Sequence, residues 1–123
     1  MFSWLKDKKT PAASATRNAS LNEGLHLAME WGEDWLKPIQ KRLSKSHPAL
    51  SEDELNEINT VCQAAMRFGH SAVYELALKS GKDTKQEEFE ATMLARYPWV
   101  SSNNLSHLFS QGMYYAWKDS GLG

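Results

Sequence analysis

The apolar residues of this chain predict an all-α fold: a small antiparallel bundle of about four helices behind a flexible N-terminal tail. Three observations predict it. Long segments carry apolar side chains at spacings of three and four. A Ser or Thr followed three residues later by Glu stands ahead of two of these segments, a pattern that satisfies helix N-termini. No segment alternates apolar with polar residues as a half-buried strand would. At 123 residues the chain has the length of one domain, enough to bury a core without disulfide or metal staples.

Residues 1–20 read as the tail. The stretch KDKKTPAASATRNAS at 6–20 is small and polar, with no periodic apolar face to repay the entropy of ordering it. Ahead of it, Phe2, Trp4 and Leu5 stand beside Lys6, Lys8 and Lys9, a combination that makes weak contact with an anionic membrane surface. A single turn of apolar side chains is a marginal anchor. Residues 21–123 read as a single helical domain.

The first helix is predicted over about 21–45. Leu21, Leu25, Ala28, Met29, Gly32, Leu36, Ile39 and Leu43 share one face, and His26, Glu30, Glu33 and Lys37 lie opposite, with His26 and Glu30 spaced as a solvated pair. Pro38 removes a backbone donor, so a kink or break is expected near Asp34 to Lys37. Lys37, Lys41, Arg42 and Lys45 form a basic end that suits the carbonyl pole of a helix and reads as solvated.

A second helix follows the capping pair Ser51 and Glu54. Its stripe of Leu55, Ile58, Cys62, Ala65, Met66, Gly69, Val73, Leu76 and Ala77 is widened by Val61, Phe68 and Ala72, wide enough to touch more than one neighbour. Gly81 stops it. Thr84 with Glu87 repeats the capping pattern for a third helix containing Phe89, Met93, Leu94 and Tyr97, closed by Pro98. Ser101 or Ser102 caps a fourth, with Leu105, Leu108, Phe109, Gly112, Met113 and Ala116 on one face and Tyr114 and Trp117 off it.

Gly32, Gly69 and Gly112 each sit inside an apolar stripe, where glycine costs roughly 1 kcal/mol relative to alanine. Close helix crossing explains that cost. The alternative is a small-ligand-binding bundle whose cavity occupies the space the missing side chains leave.

The chemistry-bearing residues are sparse. A net charge of −1 disfavours a dedicated nucleic-acid binder, which carries a basic excess to displace counterions from phosphates. One cysteine, Cys62, excludes a disulfide framework and fits a reducing compartment, so the cytoplasm is the expected location. Cys62 lies within an apolar stripe, where a thiol is inert. His26 with Glu30, and His70 with Glu75, lack the Glu-x-x-His spacing of bundle metal sites. No catalytic residue, metal or cofactor is therefore expected.

Aromatic residues crowd the last quarter. Tyr97, Trp99, Tyr114 and Trp117 are the candidate partner-binding residues, because tyrosine and tryptophan dominate interaction hot spots and the last two fall outside the buried stripe. The competing reading has Trp99 and Trp117 closing the end of the bundle. The expectation is a protein-interaction or regulatory module with an unidentified protein partner. A helix-turn-helix alternative would present Asn103, Asn104, Ser106 and His107 to base edges, with only Lys118 as a strong cation on the proposed recognition helix.

Overall fold

The computed structural model describes residues 11–30 and 38–120, and among them the secondary structure is helical, without strands. Five helices follow in order: α1 (Pro11–Ala28), α2 (Gln40–Ser46), α3 (Glu52–Ser80), α4 (Gln86–Arg96) and α5 (Ser102–Ser120). A 3₁₀ turn, Gly81–Asp83, separates α3 from α4. The described chain divides into two compact units at Ala64, and α3 runs through both.

Two corrections concern the N-terminal half. The helix starts at Pro11, not Leu21, so residues 11–20 belong to α1 and not to the expected flexible tail. Proline is well placed as a first helical residue, since its missing N–H has no intrahelical acceptor there, and Ala12, Ala13, Ala15 and Ala19 are strong helix formers. The helix expected over 21–45 is instead two, because α1 ends at Ala28 and α2 begins at Gln40, just past Pro38. Gly32, the expected break at Asp34 to Lys37, and Phe2, Trp4 and Leu5 lie outside the described residues.

In the first unit α1 approaches α3 at Gly24. Ser20 and Ala28 are fully buried one turn either side of the buried Gly24. A Cβ on Gly24 would meet Cys62 Sγ and Ile58 Cγ2 at 2.9 Å, so the backbones approach as closely as glycine permits. Cys62 donates from its thiol to the Leu21 carbonyl, 3.2 Å away, and burial pushes its pKa up. It is a packed thiol, not a nucleophile.

The α1–α2 contact carries an ion pair. Arg42 donates to Glu30 Oε1 at 2.7 Å and to the Leu27 carbonyl at 3.1 Å, capping the C-terminal turn of α1 with a cation. The basic end is therefore not wholly solvated, and Glu30 takes Arg42 as a partner across the helix pair. His47 lies 2.9 Å from Glu23, whose carboxyl is held below its ordinary value by the Ser46 hydroxyl first and then by His47.

The N-terminus of α3 forms as its residues predict. The Glu54 N–H donates to Ser51 Oγ (3.1 Å) and the Ser51 N–H to Glu54 Oε1 (2.8 Å), a reciprocal capping box. Replacing Ser51 with alanine should cost about 1 kcal/mol in urea unfolding, because one helix N–H loses its acceptor. An unchanged midpoint would show that water substitutes for the hydroxyl.

The second pair, Thr84 and Glu87, does not form a box. Thr84 Oγ1 donates to the Gly81 carbonyl (2.6 Å), and the N-cap of α4 is Lys85, which makes no side-chain cap. Gly81, at φ +59°, ends α3 in the left-handed region that favours glycine, and the threonine closes that turn.

In the second unit α5 lies along α3. Gly69 receives Leu108 and Gly112 receives Val73, so the two helices run in the same direction with α4 making the return between them. Phe89 of α4 is fully buried with its ring 6.0 Å from that of Phe109. Leu105, Leu108 and Ala116 complete the α5 face as expected, whereas Phe109 and Met113 are only half-buried.

Candidate interaction surface

The Ser101 hydroxyl starts α5 by accepting from the Asn104 N–H at 3.3 Å. From that start, 3.6 residues per turn put Leu105, Leu108, Gly112 and Ala116 on the buried side and carry Tyr114 and Trp117 out of it. Tyr114 is 43% exposed and Trp117 is 52% exposed, both well above the usual burial of such rings. Their ring centroids are 6.3 Å apart. Lys118 Nζ sits 5.9 Å from the Tyr114 centroid, within cation–π range. The surface is thus two exposed aromatic rings, held in contact with each other and edged by a cation.

Behind these rings is a polar layer. Tyr114 contacts Tyr115 at 5.8 Å, and Tyr115 meets the His70 ring edge-on at 5.3 Å. His70 Nε2 is 2.9 Å from Gln111 Oε1, a hydrogen bond in which the amide oxygen accepts from the tautomer that carries its hydrogen on Nε2. Gln111 is only 2% exposed. A buried amide of this kind needs its partner, since an orphaned polar group costs more than the bond contributes.

Tyr97 and Trp99 form a separate pair, 6.2 Å apart in the α4–α5 connection and both half-buried. Tyr97 packs edge-on against Phe68 of α3 at 5.7 Å. The Arg96 guanidinium covers both rings, 5.1 Å from Phe68 and 5.8 Å from Tyr97. The four sequence-predicted residues therefore divide: Tyr97 and Trp99 fasten the connection to α3, while Tyr114 and Trp117 face outward. Closure of the bundle end, considered above for Trp99 and Trp117, suits Trp99 but not Trp117.

Sequence reasoning did not connect Arg96, Lys118 or the His70–Gln111–Tyr115 layer with this surface. Lys118 was within reach of the pattern, being four residues after Tyr114 and so on the same helix face. The link from His70 to Gln111 joins residues 41 positions apart, and no local spacing signals it.

The rival sites lose parts of their geometry. Asn104 is buried at 4% exposure and Ser106 Oγ accepts from Gln86 at 3.1 Å, so two of the four supposed base-reading side chains are engaged within the protein. At Gly69 and Gly112, Leu108 and Val73 fill the space a ligand would need. A groove of about 270 Å³ between α3 and α4, lined by Phe68, Ala72, Leu76 and Thr92 among others, contains neither glycine. Among the described residues no group of three or more His, Cys, Asp or Glu side chains is placed to hold a metal, and no helix is long and apolar enough to cross a membrane.

Fold and surface together define a small all-α protein presenting an ordered aromatic patch on one helix. Comparison with protein-family models, with curated proteins and with solved structures finds no match for the chain.

Proposed function

We propose that this chain is a small helical protein-interaction or regulatory module of the cytoplasm, which docks a protein partner on α5 through Tyr114 and Trp117. The observation that carries the reading is the exposure of these two rings, 43% and 52%, on adjacent turns of a helix whose other face is packed. Rings already ordered by contact with each other lose little conformational freedom on binding, and aromatic anchors supply most of the energy of typical interfaces. Lys118, over Tyr114, adds a cation to the rim and favours a partner carrying acidic residues near its apolar contact. Tyr97, Trp99 and Arg96 support this surface by fixing the connection that leads into α5.

The test is capture of partners from native lysate at low salt, after nuclease treatment, by the native chain and by a variant with Tyr114→Ser and Trp117→Ser. Hot-spot truncations cost about 2 kcal/mol or more each, about 30-fold apiece, so the double variant should lose specific partners by up to about 1,000-fold while melting as the native chain does. Retention of the same partners by the variant overturns the assignment. Nuclease-sensitive nucleic acid as the sole bound material would replace it with the helix-turn-helix reading.

A further inference from the structure

The groove between α3 and α4 has an apolar floor and one fixed cation at its end. Phe68, Ala72 and Leu76 recur every fourth residue of α3 and so line it in a row, with Thr92 of α4 as the facing wall. Thr92 Oγ1 donates to the Glu88 carbonyl at 3.2 Å, which commits that wall's hydroxyl hydrogen to the backbone of α4. Arg96 follows Thr92 by four residues, on the same face of α4, and stands at the Phe68 end. Its guanidinium lies 5.1 Å from the Phe68 centroid and 5.8 Å from that of Tyr97. Contact with two rings engages the flat faces of the guanidinium and leaves its in-plane fork of N–H donors to bond another group. Among the described residues no carboxylate pairs with it.

We propose that this groove binds a linear monocarboxylate, a fatty-acid chain of about eight to ten carbons, with its head on Arg96 and its tail along Phe68, Ala72 and Leu76. Two measures of size agree on that length. The eight-residue step from Phe68 to Leu76 rises about 12 Å, which an extended chain advancing roughly 1.3 Å per bond covers in about nine bonds. The groove's volume of about 270 Å³ holds about nine heavy atoms at the roughly 30 Å³ that a water molecule takes in the liquid.

A carboxylate is the head group that a planar guanidinium suits, since the fork gives two parallel hydrogen bonds to its two oxygens. The far end sets the direction of the tail. There Glu75 and Lys79, one turn apart on α3, place opposite charges side by side, so that end offers no net attraction to an anion. The site uses neither Tyr114 nor Trp117.

The test is an NMR titration of the full chain, labelled at its methyl groups and arginine side chains, with hexanoate, octanoate, decanoate and dodecanoate below their micellar concentrations. Octanol is the uncharged control. Saturating shifts should appear at the Ala72 and Leu76 methyls and at Arg96 Nε–H. Because the groove is open along one side, each added carbon loses about half its contact with water, so affinity should rise about twofold per carbon up to decanoate and then level off. Octanoate should bind about threefold to fivefold tighter than octanol at pH 7, the usual worth of a surface ion pair. Arg96→Gln should remove that preference and Lys79→Gln should keep it, while Ala72→Phe, which fills the groove, should abolish binding of both. An absence of saturable shifts at these groups, an affinity that still climbs from decanoate to dodecanoate, or a preference that survives Arg96→Gln overturns the site. Shifts confined to Tyr114 and Trp117 overturn it too, by placing the chain on the aromatic surface. Should Ala72→Phe not fold, the chain-length series and the Arg96→Gln comparison decide the matter alone. The titration needs no protein partner, so this site and the docking surface fail separately.

Discussion

Replacing Phe89 with alanine should produce the largest loss of stability of any substitution considered for this chain, about 3–5 kcal/mol, read as a fall of the urea midpoint or of roughly 12–20 °C in Tm. Phe89 is fully buried on α4, and its ring lies tilted on Phe109 at 6.0 Å. The loss has two sources: the ring's transfer from water to the interior, and a cavity that α4 cannot collapse because its ends are fixed. One end is the Gly81–Asp83 turn closed by Thr84; the other is Tyr97, locked between Phe68 and Trp99. Domains of this size have only about 5–15 kcal/mol in total, so the variant should sit close to unfolding at physiological temperature. Leu78→Ala is the matched control. Leu78 is 56% exposed, and its truncation should stay within about 0.5 kcal/mol. Equal effects for the two would mean that α4 is not part of a packed core.

What could be read in advance, and what could not, follows from how local each signal is. The Ser51–Glu54 box is legible because both partners lie within one turn, and each satisfies a donor that the helix start leaves open. The Thr84–Glu87 pair carries the same letters. It fails because the N-cap of α4 is Lys85, so Thr84 stands one residue outside the helix start, where its hydroxyl turns back to the Gly81 carbonyl of the left-handed turn. The outward direction of Tyr114 and Trp117 was legible from helical period alone. The division between that pair and Tyr97 with Trp99 was not, since it depends on where Phe68 and Arg96 arrive from other elements.

The misreading of residues 11–20 has a more general cause. Hydrophobic periodicity finds helices that bury large apolar side chains, and the first ten residues of α1, rich in alanine behind Pro11, carry none to bury. Gly24, with the buried Ser20 and Ala28 one turn either side, lets the α1 backbone approach Ile58 and Cys62 of α3, so the contact there is made largely by the partner helix's atoms. Gly24 was consequently overlooked while Gly69 and Gly112, set in obviously apolar stripes, were singled out. A search for small residues at intervals of four would have caught all three glycines at the two described crossings. It would not have found the His70–Gln111 link, which exists only because α5 returns alongside α3 in parallel.

Gly112 offers the sharpest test of that crossing, because two effects of known sign oppose each other there. In an exposed helix, Gly→Ala stabilises by about 1 kcal/mol through backbone entropy. At position 112 a Cβ would stand 2.5 Å from Val73 Cβ and 2.8 Å from its Cγ1, distances that no rotamer change of a β-branched neighbour can relieve. The helices must separate. Gly112→Ala should therefore destabilise despite its better propensity, and Gly112→Leu should cost about 1–3 kcal/mol or somewhat more, the usual range for overpacking. Gly69 provides the contrast. There the added carbon meets the ends of Leu108 at 3.1 and 3.2 Å, a flexible side chain that can turn aside, so Gly69→Ala should be close to neutral. A double-mutant cycle completes the argument, because Val73→Gly removes the Cβ and both methyls that the carbon added by Gly112→Ala would strike. The pair should be more stable than the sum of the two single losses by about 0.5–3 kcal/mol, the coupling expected of residues in direct contact. Additive losses, or a melt unchanged by Gly112→Leu, would mean that α3 and α5 do not cross at bare backbone.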